Sequence, residues 1–246
     1  MVEEKEKKIE YKPSFYEKFV KRFFDIICSL LAIICFGWLY IIVAVLVRVK
    51  LGSPVIFKQP RPGKNEKVFN MYKFRTMTNE CDENGELLPD EVRLTKFGKA
   101  LRNSSLDELP EAFNILKGDM SVIGPRPQLV RDMVFMTNEQ RKRHFVRPGL
   151  SGLAQVNGRN DIDWEDKLEW DLKYIKKISL LGDIKIIFQT VKKAFIHQEG
   201  ITTGEMATAE DFGDYLLNQG KVSREEYEEK QAKAKEILKR HDENEE

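Results

Sequence analysis

The chain has 246 residues, of which 41 are basic and 40 are acidic, and its formal net charge is +1. This balance excludes the broad positive field that nucleic-acid-binding proteins use, so nucleic acid is not an expected partner. The three cysteines have no CxxC spacing, which argues against a zinc site and favours reduced thiols.

An uncharged apolar segment occupies residues 26–47, between Asp25 and Arg48. As a helix its 22 residues would span about 33 Å, enough to cross a hydrocarbon core of about 30 Å. The segment begins late for a signal peptide, and no small-residue cleavage site follows it. We therefore predict that it holds the chain to a membrane.

Basic residues flank this segment on both sides, seven of them in residues 1–25 and seven in residues 48–73. Lys and Arg near a membrane segment tend to stay on the cytoplasmic side, so the symmetry favours a re-entrant helix with both ends on that face. Gly37, near the middle, is the candidate bend. A straight span remains the alternative on the charge pattern alone.

Turn residues and hydrophobic periodicity predict the elements up to residue 124. Strands PVIFKQ and VFNMYKFR are expected to form a β-hairpin around the loop PRPGKNEK. An acidic, solvated loop follows at 79–90, and then a helix over TKFGKALRN. A further helix is expected from the spacing of Leu106, Leu109, Phe113 and Leu116, closed by Gly118, before a short strand in DMSVIG.

Helices are expected at 128–144, 164–175 and 183–197, with a Gly-rich loop at 147–160 between the first two. The last helix carries apolar residues on one side, and we interpret this stripe as core rather than as a surface in the headgroup layer. A tail helix begins at a capping box, Ser223 and Glu226, and is charged nearly all round.

The predicted fold class is therefore a membrane-anchored α/β protein. A re-entrant membrane helix would be joined to a small cytosolic domain of mixed helices and a β-hairpin, with interfacial amphipathic helices. The expected segments are 1–20 (charged and poorly ordered at its start), 21–50 (membrane anchor), 51–212 (catalytic domain) and 213–246 (tail of unknown role).

The first candidate for chemistry is the acidic pair Asp107 and Glu108. Pro110 lacks an N–H, so it places both carboxylates in or before the first turn of a helix. The positive end of the helix dipole favours an ionised Asp107, which is then able to act as a nucleophile or to hold a cation. Taken alone, ordinary helix capping is the more common explanation for these residue types.

Two other segments carry candidate binding groups. In GPRP, prolines stiffen the backbone on either side of Arg126, which suits a guanidinium that binds phosphate, although a plain surface turn has the same composition. The loop 147–160 matches neither GxxxxGK[ST] nor GxGxxG. Its glycines allow close approach to a ligand, and it supplies the donors Arg147, Gln155, Asn157, Arg159 and Asn160.

Four motifs in order and spacing closely resemble the bacterial sugar transferase family, the monotopic phosphoglycosyl transferases. They are KRFFDI, YKFRTM, SLDELPEAFNILKGDMSVIGPRP and RPGLSGLAQVNGRN, and the resemblance covers residues 16–212. Family members commonly bend the membrane helix at a Ser-Pro pair, whereas Gly37 and Trp38 occupy that place here.

The resemblance implies transfer of a sugar-1-phosphate from a UDP-sugar to undecaprenyl phosphate, with release of UMP. It implies an enzyme on the cytoplasmic face of the plasma or inner membrane, in contact with membrane lipid, with downstream glycosyltransferases as further partners. The products would begin a surface polysaccharide or glycoconjugate. A catalytically idle membrane scaffold of a polysaccharide-assembly complex is the alternative.

The same resemblance implies roles for individual residues. Asp107 would be the nucleophile that carries a phosphosugar, and Glu108 its partner, the two together holding Mg²⁺. The implied substrate-binding residues are Arg75, Arg126, Arg147, Gln155, Asn157, Arg159, Asp171 and Asp183.

Overall fold

The computed structural model describes residues 11–158, 163–196 and 210–245. The first ten residues of the predicted charged segment, and the predicted binding residues Arg159 and Asn160, lie outside these ranges, as does His197 at the end of a predicted helix. Within the described ranges, the fold mixes helices with two small two-stranded sheets, which confirms the mixed helix and strand architecture. The membrane anchoring stays a prediction.

A bent pair of helices opens the described chain. A π-helical turn, Tyr16–Val20, leads into α1 (Lys21–Cys35), and α2 (Gly37–Leu51) follows after Phe36. The two parts meet at 64°, so the bend predicted at Gly37 is confirmed. Taken singly, none of the described helices is long and apolar enough to cross a membrane, whereas this bent pair together meets that criterion of length and composition.

Polar contacts attach α1 to the rest of the protein. Buried Asp25 accepts hydrogen bonds from the Ser121 hydroxyl and the Val122 amide, both at 2.9 Å. Arg22 donates to the carbonyls of Ile115 and Leu116 at 2.6 and 2.8 Å. The opposite side of the helix pair exposes large apolar side chains.

The β-hairpin is confirmed. Strands β1 (Ile56–Pro62) and β2 (Val68–Phe74) pair antiparallel, from Ile56 opposite Phe74 to Pro62 opposite Val68. The placement of PRPGKNEK entirely in the loop was wrong, because Pro60, Arg61 and Pro62 continue β1. An edge strand tolerates proline, since one row of its backbone groups has no partner strand.

The segment after the hairpin follows the prediction closely. The predicted acidic loop at 79–90 is mostly exposed, and a short helix α3 (Asp90–Arg93) begins at its end. The helix predicted over TKFGKALRN is α4 (Lys96–Asn103). A 3₁₀ turn, Leu106–Glu108, precedes α5 (Glu111–Lys117) and strand β3 (Ser121–Ile123). Gly118 ends α5 with φ of 100°, a conformation that glycine adopts without strain.

The single helix predicted at 128–144 was wrong. The chain instead forms α6 (Val130–Met133), α7 (Asn138–Arg141) and a 3₁₀ turn, Lys142–Phe145. The break has a local cause, since the Thr137 hydroxyl accepts from the Gln140 amide and the Gln140 side chain accepts from the Thr137 amide. This capping box starts a new helix inside the predicted one.

The Gly-rich loop prediction was also wrong, because this segment contains strand β4 (Gly149–Ser151) and helix α8 (Leu153–Asn157). Strand β4 pairs parallel with β3, Ser121 facing Gly149. A Cβ on Gly149 would lie 2.1 Å from the Gly124 nitrogen. The glycines therefore allow two backbones to meet.

The C-terminal part consists of the predicted helices α9 (Trp164–Lys176) and α10 (Leu180–Ile196), followed by α11 (Phe212–Asn218) and α12 (Arg224–Glu243). The interpretation of the α10 stripe as core was wrong, because Ile187, Phe188 and Val191 are exposed. The capped tail helix is confirmed, and its Ala234 packs with Val130 of α6.

Candidate active site

The acidic pair lies in the 3₁₀ turn that precedes α5. Ser105 turns the chain with φ of 55°, and Pro110 stands at the N-cap of α5, so both carboxylates lie before the helix, as Pro110 predicted. Asp107 is 7% exposed. Its carboxylate forms no ion pair with a described residue, so one acid of the pair is left without a bound counter-charge.

The pKa of Asp107 is raised to about 6. Burial is the largest cause and Glu108 adds to it, while Lys73, Arg102 and Arg126 act in the opposite direction. The carboxylate is therefore still largely ionised at pH 7, but burial makes it more basic than an exposed aspartate, which is the opposite of the shift expected from the helix dipole. A more basic carboxylate is a better nucleophile.

Two cations hold Glu108. Its Oε1 accepts from Lys73 Nζ at 3.0 Å and from Arg126 Nη2 at 2.7 Å. Burial alone would raise the pKa of this carboxyl, but Arg126 and Lys73 outweigh it and the pKa is lowered. Glu108 therefore stays ionised and fixes the two cations beside Asp107.

The sequence interpretation missed a third carboxylate, Glu111. It is 2% exposed, and its Oε1 lies 3.3 Å from Lys73 Nζ without hydrogen-bond geometry. Burial and the charge of Glu108 raise its pKa. Glu111 follows Glu108 by three residues at a helix start, and this spacing is the sequence signal by which it could have been found.

Arg126 lies beside the acidic pair because Arg143 holds the GPRP loop that carries it. Buried Arg143, which sequence reasoning also missed, donates through Nη2 to the Arg126 carbonyl at 2.6 Å. The same guanidinium forms a buried ion pair with Asp171 at 2.7 Å. Asp171 thus supports the GPRP loop indirectly, through its ion pair with Arg143.

The remaining predicted residues of the described ranges form no hydrogen bond or ion pair with the acidic pair. Arg75 is buried at the end of the hairpin, and Arg147 donates to the Gly118 carbonyl at 2.7 Å. The side-chain amides of Gln155 and Asn157 donate to the carbonyls of Leu150 and Leu153 in the same segment.

Asp183 connects α10 to the N-terminal helices. It accepts from Tyr16 and Tyr174 at 2.8 and 2.9 Å, and it pairs with Lys21 at 2.6 Å. Of the predicted residues, the structure brings together Asp107, Glu108 and Arg126.

In the described ranges, no group of three or more His, Cys, Asp or Glu side chains is arranged to hold a metal ion. Mg²⁺ is commonly bound by one or two carboxylates together with substrate phosphate oxygens. The adjacent acids Asp107 and Glu108 fit that mode. Together with Lys73 and Arg126 they make a site suited to chemistry on a phosphorylated substrate.

Comparison with known proteins identifies the class. The family model described as bacterial sugar transferase matches residues 16–197. The uncharacterized sugar transferase EpsL of Bacillus subtilis is 48% identical over 193 residues, which cover 78% of this chain and 95% of that protein. The chain therefore belongs to the bacterial sugar transferase family, and it is an enzyme of the sugar-phosphate transferase class.

Two further relatives have more specific names. A UDP-glucose:undecaprenyl-phosphate glucose-1-phosphate transferase of Klebsiella pneumoniae is 42% identical, over 72% of this chain and 40% of that protein. A UDP-N-acetylgalactosamine-undecaprenyl-phosphate N-acetylgalactosaminephosphotransferase of Aeromonas hydrophila is 40% identical, over 73% of this chain and 44% of that protein. The chain thus matches less than half the length of these two relatives.

Proposed function

We propose that this enzyme transfers a sugar-1-phosphate from a UDP-sugar to undecaprenyl phosphate and releases UMP. The observation that carries the proposal is the contrast within the acidic pair. Glu108 is held by two cations, whereas the more basic Asp107 carboxylate has no ion-pair partner among the described residues. The names of the relatives from Klebsiella and Aeromonas supply the substrate classes.

The proposed reaction has two steps. In the first, a carboxylate oxygen of Asp107 attacks the phosphorus that carries the sugar, the bond from that phosphorus to the UMP oxygen breaks, and UMP leaves with the electron pair. In the second, a phosphate oxygen of the lipid attacks the same phosphorus and breaks its bond to Asp107. The sugar then stands on a polyprenyl diphosphate, and the carboxylate is restored.

An anionic carboxylate and a diphosphate repel each other, and the cations beside the acidic pair reduce this repulsion. Lys73 and Arg126 lie at Glu108 and reduce the negative potential that the donor meets. Asp107 and Glu108 would hold Mg²⁺, and the ion would supply positive charge against the phosphates of the substrate.

We place the enzyme at the cytoplasmic face of the inner membrane with the bent pair α1 and α2 as a re-entrant anchor. Exposed apolar residues on both helices support this placement, among them Leu31, Ile34, Trp38, Ile41 and Val49. The exposed stripe of α10 fits the headgroup layer. The lipid product would then be available to downstream glycosyltransferases on the same face.

The test is UMP release by purified enzyme with Mg²⁺, undecaprenyl phosphate and a panel of UDP-sugars. Asp107→Asn is expected to abolish both turnover and the phosphosugar adduct detected by intact-protein mass spectrometry. Asp242→Asn, an exposed change in the tail helix, is the matched control and retains activity. Wild-type enzyme that releases no UMP from any donor would favour a scaffold role instead.

A further inference from the structure

An apolar groove of about 340 Å³ lies between α2, the hairpin and the start of α5. Ile41 and Ala44 of α2 form one wall, and Phe74 of β2 with Pro110 and Phe113 at α5 forms another. This volume falls within the range of roughly 300–1,000 Å³ that is usual for small-molecule sites. The groove is therefore large enough for part of an extended hydrocarbon chain.

The lining does not suit a polar ligand. It consists of aliphatic and aromatic side chains, of which only two tyrosines carry a hydroxyl. Tyr40 donates its hydroxyl to the Leu109 carbonyl at 2.5 Å, and the Tyr72 hydroxyl accepts from Lys117 at 3.3 Å. A sugar or nucleotide placed here would leave its own polar groups unpaired, which disfavours its binding.

One end of the groove adjoins the acidic pair. Pro110 lies three residues after Asp107, and Tyr40 bonds the carbonyl between them at Leu109. Lys73, which pairs with Glu108, lies between the groove residues Tyr72 and Phe74 in β2, and its side chain leaves the strand on the opposite face. The contact between the groove and the acidic pair is therefore made at Leu109 and Pro110.

The other side of the groove continues into the exposed apolar surface of α2. Ile41 lines the groove and is 68% exposed, and Trp38 and Val45 continue the apolar surface along the same helix. The bent pair carries no charged side chain between residues 26 and 47, so a chain lying against this part of α2 would reach the groove across an apolar surface. The groove extends from that surface to Pro110, three residues after Asp107.

We propose that this groove binds the apolar chain of the lipid acceptor next to its phosphate, and so directs that phosphate to the adduct on Asp107. The inference rests on the proposed function, which supplies the acceptor. It adds a binding site that is separate from the site of the nucleotide donor. The groove holds the first part of the chain, and the remainder lies along α2.

The two substrates can be tested separately. Ala44→Phe fills the groove, and Val92→Phe adds the same ring to an exposed position of α3, away from the groove and from α2. With UDP-sugar alone, both variants are expected to give a UMP burst equal to that of the wild type. With undecaprenyl phosphate, Ala44→Phe is expected to raise KM for the acceptor about tenfold or more, whereas Val92→Phe leaves it within about twofold.

A second measurement does not depend on a substitution. Undecaprenol, which has the chain without the phosphate, should compete with the acceptor, and a polyprenyl phosphate with a photoreactive group near its phosphate end should label groove residues such as Phe113. Labelling confined to Trp38 and Val49, outside the groove, would overturn the proposal. So would equal KM values for the two variants, or competition by phospholipid acyl chains as strong as that by undecaprenol.

The outcomes also separate this inference from the proposed function. If wild-type enzyme transfers sugar phosphate but Ala44→Phe keeps its acceptor KM, the groove assignment fails and the reaction stands. If wild-type enzyme gives no UMP burst with any donor, the reaction itself fails.

Discussion

Replacing Asp107 with asparagine should stabilise the protein while abolishing activity. Burial raises the pKa of this carboxyl from 3.8 to about 6, so the folded state disfavours the ionised form. The contribution of Asp107 to the free energy of unfolding is therefore greatest below pH 3.8, and it is lost as the pH rises through 6. Each pKa unit corresponds to about 1.4 kcal/mol, so ionised Asp107 costs about 3 kcal/mol at pH 7.

Asp107→Asn removes this cost. Its free energy of unfolding should exceed that of the wild type by about 3 kcal/mol at pH 7, by roughly half of that at pH 5, and by little near pH 3. At pH 7 this corresponds to a melting temperature about 6–12 °C higher for a protein of this size. Thermal unfolding in detergent with EDTA, followed by tryptophan fluorescence, measures the difference.

Glu108→Gln is the matched control, because the same chemical change one residue later should have the opposite sign. Arg126 and Lys73 lower the pKa of Glu108 against the effect of burial, so its charge is stabilising at pH 7. The variant should therefore melt below the wild type. An Asp107→Asn variant that melts no higher than the wild type at pH 7, or whose gain is unchanged at pH 4, would refute the assignment of a buried, destabilised carboxylate.

Three further predictions concern the site and its support. The rate of the UMP burst should fall about tenfold between pH 7 and pH 5 as Asp107 is protonated, and a flat rapid-quench profile would contradict this. Asp171→Asn leaves Arg143 buried without its partner and should cost about 3–5 kcal/mol, measured by thermal unfolding; an unchanged melting temperature would show that the pair supports nothing. Phe212→Ala, at a side chain packed with Phe135, should cost about 3–5 kcal/mol, whereas exposed Lys235→Ala should cost little in the same melts.

The elements that were predicted correctly are those with a local signal. The hairpin followed from alternation and turn residues, and Pro110 placed the acidic pair because proline restricts its own backbone. The tail helix followed from the predicted capping box, of which the structure contains the Ser223 half: the Ser223 hydroxyl accepts from the Glu226 amide. The bend at Gly37 followed from flank charges and a single glycine.

The parts that were missed depend on contacts that the local pattern does not encode. The ion pair between Lys73 and Glu108 joins residues 35 apart in sequence, and no periodicity predicts which strand residue faces a helix start. The parallel pairing of Ser121 with Gly149 turned a supposed loop into a strand. The break before α7 had a local signal, the capping residue Thr137. It was missed because the apolar spacing of residues 128–144 favoured one continuous helix.

The short helix α5 links α1 to the acidic pair. At its C-terminal end, the carbonyls of Ile115 and Leu116 accept from Arg22 of α1, and just before its first residue lies Glu108. Seven helical residues span about 10 Å, and this length is fixed by the helix backbone. If α1 lies in the bilayer as proposed, α5 sets the distance of Asp107 from the bilayer surface, so a lipid phosphate and a soluble nucleotide can reach the same carboxylate in turn.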